Sequence, residues 1–225
     1  MFATTVREAT REAHDAAEGA SFVQELMSGT LQVRHYADLL LSLEPVYDAM
    51  EQEFRAHSSE SSVALFDHRR LDRHARIVHD LAGLGQRPRS RPLPAAVDSY
   101  VDAVHEAAAS PQRLLAHHYT RYLGDMAGGQ AIAAMLRSHY DLGPEVLTFY
   151  DFSDLGDLVH YRRRYKDLLD LVPWTDAERA EFIDESQRVF ALNSALFVAL
   201  GETDRGPTAK RPGSFFAAER AHQPR

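Results

Sequence analysis

Residues 119–130 read Tyr-Thr-Arg-Tyr-Leu-Gly-Asp-Met-Ala-Gly-Gly-Gln, a run in which Gly124, Gly128 and Gly129 interrupt an otherwise helical pattern. Each glycine costs a helix about 1 kcal/mol relative to alanine, so the run needs a reason. Gly124 and Gly128 stand one turn apart and strip Cβ atoms from one helix face, which lets another group approach the backbone closely. Two readings are open: a Gly-x-x-x-Gly contact between packed helices, or a surface kept bare for a ligand. Asp125 favours the second, because a carboxylate inside such a run is expensive to bury unless it is hydrogen-bonded or functional.

Arg7, Arg11, His14 and Glu18 follow at spacings of four, three and four, which places them on one side of a helix. Imidazole is a common axial ligand for haem iron, and a carboxylate one turn away can accept a hydrogen bond from its other ring nitrogen. The two cations on the stripe suit an anionic ligand group; the competing reading is an ordinary solvated face. A third cluster, Tyr161-Arg-Arg-Arg-Tyr165-Lys166, sets Arg162 and Lys166 one turn apart, a spacing that suits two neighbouring carboxylates or a plain basic patch.

The 225 residues contain no cysteine. That excludes disulfides, thiolate nucleophiles, cysteine-bound zinc, iron–sulfur clusters and thiolate-ligated haem. Any metal must be held by histidine or carboxylate, and any electron must come from another molecule. His105-Glu106 lacks the second histidine of a zincin, Glu219 to His222 is a lone Glu-x-x-His where a di-iron bundle needs a pair, and Gly83-Leu-Gly85 lacks the third glycine and the strand of a dinucleotide site. With 25 Lys+Arg against 33 Asp+Glu the net charge is -8, which argues against a general nucleic-acid binder. No stretch approaches the roughly 18 apolar residues of a spanning helix, and the charged start lacks the apolar core of a secretory signal. A soluble, cytoplasmic protein without a membrane anchor is expected.

These groups need a scaffold, and the hydrophobic periodicity is helical nearly throughout. Thr5 to Glu8 fits a capping box opening a helix that runs to about Gly19; a short helix covers Ser21 to Met27; Tyr36 to Met50 is amphipathic, with Pro45 expected to kink it. Val63 to Leu84 is expected to be helical, Gln86 to Pro94 a loop, and Ala95 to Ala109 helix again. Ser110-Pro111 reads as a cap and first position, Asp154 to Leu171 as a helix, and Thr175 to Glu178 as a capping box before a long helix bearing Phe190 and Asn193. The expectation is an all-α fold, one helical domain over 1–202 with a mobile tail over 203–225.

Taken together, the segments Arg7 to Glu18, Ala116 to Gln130, Tyr161 to Lys166 and Phe190 to Asn193 resemble the haem oxygenase family, in order over roughly residues 4 to 200. The resemblance implies an all-α fold with haem b, both substrate and cofactor, held between a proximal and a distal helix. It implies oxidation by O2 to biliverdin with release of ferrous iron and carbon monoxide. It implies His14 as the iron ligand, oriented by Glu18, and Gly124, Gly128 and Gly129 as the bare surface over bound oxygen. Asp125 would hold a proton-delivering water chain. Tyr119, Arg162 and Lys166 would hold the propionates, with Arg7 or Arg11 nearby, and Phe190 would line the pocket. Arg7 and Arg162 stand where the family commonly has Lys, and Lys166 where it has Arg; charge is retained. Electrons would come from an external donor, a ferredoxin with its reductase or a flavoprotein reductase, to a monomer. A haem-binding module without turnover is the rival class, against which Asp125 argues. A helical thiamin-salvage enzyme is the other, and its pattern relies on a catalytic cysteine.

Overall fold

The structure is a computed structural model that describes residues 1–66 and 68–202. The expected tail lies outside the described residues. Among the described residues there is no strand, and no helix is long and apolar enough to cross a membrane.

Two long helices carry the molecule. Ser110 caps α8 (Pro111–Tyr140) by accepting the Arg113 N–H at 3.5 Å, with Pro111 where a missing N–H costs nothing. Thr175 and Glu178 exchange backbone N–H bonds with each other's side chains at 2.7 and 3.3 Å, which starts α10 (Asp176–Glu202) as the capping box requires. The two helices lie along each other and share a buried clamp. Glu185 of α10 accepts from Nε2 of the fully buried His117 at 2.9 Å and from Arg113 Nε at 3.1 Å. Burial raises the Glu185 pKa, but His117 and Arg113 more than compensate and hold it below the ordinary value. Breaking such a pair strands a buried partner. Glu185→Ala is therefore expected to cost about 3–5 kcal/mol, read as a lower urea midpoint at unchanged slope.

Against this pair pack α4 (Val33–Ala56), α6 (His74–Gly83) and α7 (Ala95–Ala107). α4 is opened by Gln32 and His35 in a reciprocal cap, runs unbroken through Pro45, and buries Tyr36, Leu40, Leu43, Val46, Tyr47 and Met50. Asp80 of α6 accepts from Thr148 N and Phe149 N at 3.0 and 2.8 Å, which fixes the 3₁₀ turn Thr148–Tyr150 beneath α8. The short helix α3 (Ser21–Met27) and the 86–94 loop are as expected.

Three expected boundaries are corrected. Thr5 is not a cap: α1 (Phe2–Ala9) starts beyond Met1, and the expected single helix to Gly19 breaks at Thr10, where α2 (Arg11–Glu18) begins. The Thr10 hydroxyl donates to the Val6 carbonyl at 2.9 Å, a back-bond that competes with helix continuation. The segment 63–84 is a 3₁₀ turn (Val63–Leu65), a short α5 (His68–Leu71) and α6, and between α5 and α6 the Arg73 and His74 N–H groups bond the Glu51 carboxylate of α4 at 2.6 and 2.7 Å. α9 (Leu158–Leu171) starts at Asp157, not Asp154; the Asp157 carboxylate accepts from Val159 N and His160 N.

Candidate active site

Beyond Thr10, α2 packs on α10. There the His14 ring meets Phe190 edge-on at 5.6 Å. The imidazole lies between two carboxylates, Glu18 at 3.4 Å and Asp15 at 3.8 Å, and remains half exposed. One donor atom from each of these three residues clusters closely enough to share a metal ion. His14 is thus held by an aromatic edge and a carboxylate while part of its ring stays open to a ligand.

Asn193 stands one turn beyond Phe190 on α10, and it leads to a second cluster. Its Oδ1 accepts from Arg121 Nη1 at 2.6 Å. Arg121 also donates to the Tyr47 hydroxyl at 2.8 and 3.1 Å and pairs with Asp125 at 3.4 Å, while the Tyr47 hydroxyl donates to Asp125. Burial raises the Asp125 pKa, against the lowering pull of Arg121 and the Tyr47 bond. Tyr47 is raised well above its ordinary value, first by burial. The result is a carboxyl whose proton is held more tightly than usual, at the outer end of a chain whose other members are buried.

Beside Asp125 the helix is bare. A Cβ built on Gly124 or Gly128 would meet nothing within 4 Å, so neither residue makes the helix-packing contact that their spacing allows. Gly129 differs: its Cβ would stand 2.8 Å from the Tyr150 ring, so this glycine makes room for the turn below α8. α2 and α8 both pack on α10 and barely touch each other. His14 and the Gly124–Asp125–Gly128 surface are therefore organised from neighbouring turns of one helix, α10.

A third group gathers where α1 meets α9. The Ala3 N–H donates to Asp170 at 2.8 Å and docks α1 on α9. Arg7 thereby comes into the electrostatic neighbourhood of Arg162 and Lys166. Burial pushes the Lys166 ammonium below its ordinary value, and Arg162 and Arg7 push it further. Arg7 also acts on the Tyr119 hydroxyl, whose pKa burial raises. Arg7, Arg162 and Lys166 have no ion-pair partner among the described residues. Three cations gathered without a counter-charge make a receptor for an anion. Arg11 is exposed on α2 and stands outside this mutual repulsion.

With that geometry in place, comparison with known proteins is decisive. The family model described as Heme oxygenase matches residues 1–199. The chain belongs to the haem oxygenase family. A heme oxygenase of Rhodella violacea is 32% identical over 203 residues, covering 88% of this chain and 86% of the relative. Heme oxygenase 1 of Homo sapiens is 31% identical, covering 88% and 70%. The crystal structure of heme oxygenase-1 from Synechocystis in complex with heme superposes with a TM-score of 0.85 at 30% identity, over 90% of this chain and 93% of that one. The helical fold expected from the sequence is the family's fold. Tyr47, Arg121 and Asn193 were not singled out as functional from the sequence; Arg121, one turn before Asp125 in the same run, offered the one local signal.

Proposed function

We propose that this chain degrades haem to biliverdin, ferrous iron and carbon monoxide with O2 and electrons from an external donor, in the cleft between α2 and α8. Family membership carries the reaction; the bare face at Gly124 and Gly128 beside Asp125 carries its location. The residues fit such a ligand. A flat apolar ring with two carboxylates needs an open, Cβ-free wall, an aromatic edge, an imidazole for its iron and cations for its propionates, and each is present.

Bound haem supplies the iron that activates oxygen and the porphyrin edge that is oxidised. The chain's own residues set the conditions. His14 offers a neutral nitrogen to the iron, and Glu18 orients the ring and raises its basicity. Gly124 and Gly128 would offer the ring a Cβ-free surface to lie against, with room kept for a small ligand. Asp125, with Tyr47 and Arg121 behind it, holds and returns protons through water at the edge of that space. Arg7, Arg162, Lys166 and Tyr119 hold the propionates and so fix which porphyrin edge lies under Asp125. A module that only stores haem has no use for a proton-holding carboxyl beside the ligand, so turnover is the better reading. The test is to load the protein with hemin and supply ascorbate and O2 with catalase present. Biliverdin and carbon monoxide should form in equal amounts; stable haem under these conditions would leave only a binding protein.

The cation cluster gives a pH expectation. A propionate beside Lys166 favours the ammonium form, so haem binding takes up a proton once Lys166 has begun to titrate. Affinity should then fall as pH rises through the depressed Lys166 pKa. Lys166→Arg should flatten that fall, because arginine stays charged. Replacing both Arg162 and Lys166 with Glu should weaken binding at all pH values or change the mixture of biliverdin isomers.

A further inference from the structure

Away from the cleft, α4 carries Glu44 and Asp48 one turn apart, and His74 opens α6 against them. His74 Nε2 is 2.8 Å from Glu44 Oε1, and His74 Nδ1 is 3.9 Å from Asp48 Oδ1. Donor atoms, one from each residue, all lie within 4.8 Å of one another. Glu44 is only 4% exposed, and its second oxygen, Oε2, is buried with no hydrogen-bond partner. A buried carboxylate oxygen without a donor is costly, and a His–Glu pair alone leaves that cost in place.

The surroundings hold the three donors in position. Buried Glu51 accepts the N–H groups of Arg73 and His74 at 2.6 and 2.7 Å, which fixes the first turn of α6 on α4 and sets where the imidazole points. Asp48 accepts from Gln52 at 2.8 Å and meets Arg89 at 3.4 Å; the Arg89 side chain is 70% exposed and can leave without breaking packing. The Asp48 and His74 side chains keep about a quarter of their surface in water (22% and 28%), so an ion can reach them from solvent.

We propose that Glu44, Asp48 and His74 form a second metal site, for a zinc-class divalent cation. Two carboxylates and a neutral imidazole carry a charge that one divalent ion cancels, and the ion gives Glu44 Oε2 the partner it lacks. Tetrahedral ligands at bonds of about 2.1 Å stand about 3.4 Å apart, so gathering the donors needs only side-chain adjustment. The imidazole selects against magnesium and calcium, which prefer oxygen throughout. The ion staples α4 to α6, and its fourth position is left to water.

The test titrates the haem-free, full-length, tag-free chain with Zn2+ by calorimetry and with Co2+ by visible absorption. One ion per chain should bind, with the intense visible bands of low-coordinate cobalt, and zinc should raise the melting temperature. His74→Asn and Glu44→Gln should each weaken binding by about 10–100-fold or more. His14→Ala, which removes the other His–carboxylate cluster, should leave this binding intact. Wild-type affinity in His74→Asn overturns the site, as does loss of binding in His14→Ala, which would place the ion at His14, Asp15 and Glu18. If Glu44→Gln fails to fold, the partly exposed His74→Asn decides alone.

Discussion

Asp125→Asn should lower haem turnover by about 10²–10⁴-fold, the usual cost of a lost proton-transfer group, while haem content and the His14–iron spectrum stay as in the wild type. The asparagine keeps the size and can still accept at its one oxygen, so part of the network behind it can persist while the titratable proton and the negative charge go. Both Asp125→Asn and Asp125→Ala leave the buried Arg121 cation with Tyr47 and Asn193 and no carboxylate, but the alanine also leaves the side-chain volume empty, so the asparagine is the smaller perturbation. The failure should also change in kind. With hydrogen peroxide, the variant should oxidise a small phenol that the wild type leaves untouched, because oxidising power no longer directed to the porphyrin edge escapes to solution. Wild-type biliverdin formation with no gain in phenol oxidation would remove Asp125 from the proton path.

His14→Ala should abolish turnover, a loss of at least about 100-fold given that even supporting groups of a metal site cost 10–100-fold. Haem should still enter, held by the cation cluster and the apolar walls, since neither depends on His14. The ferrous–carbon monoxide spectrum should change, and added imidazole should restore part of both spectrum and activity by filling the vacated volume beside Phe190. Glu18→Gln should be milder, about 10-fold, because it alters the orientation and basicity of His14 without removing it. An unchanged spectrum and rate in His14→Ala would assign the iron to another side chain.

The parts of this molecule legible in its sequence were those written in local chemistry. Ser110-Pro111 and Thr175 to Glu178 announced α8 and α10 because caps act within one turn. Gly124, Gly128 and Asp125 stood out because each is locally expensive. Boundaries were lost where a contact outside the local pattern intervened: the Arg73 and His74 N–H groups bond Glu51 of α4, 22 and 23 residues away, and the Thr10 hydroxyl bonds back to Val6 where α1 gives way to α2. The partners of Asp125 were hidden for the same reason. Tyr47 lies 78 residues before it and reads as one more apolar position of α4, since periodicity sees the ring and not the hydroxyl. Glu44 was silent as well, a carboxylate next to a proline with no local motif around it.

The central claim is that haem sits between α2 and α8 with His14 on its iron, and a structure of the haem-loaded protein tests it most directly. The account predicts one haem per chain, a ring nitrogen of His14 bonded to iron, Phe190 against the His14 side, the open face over Gly124 and Gly128, and propionates among Arg7, Arg162 and Lys166. A pocket elsewhere on α9 is lined by Phe66, Arg70, Tyr161, Arg164 and Tyr165 among others. Haem found there, or iron bound by any histidine other than His14, would contradict the account.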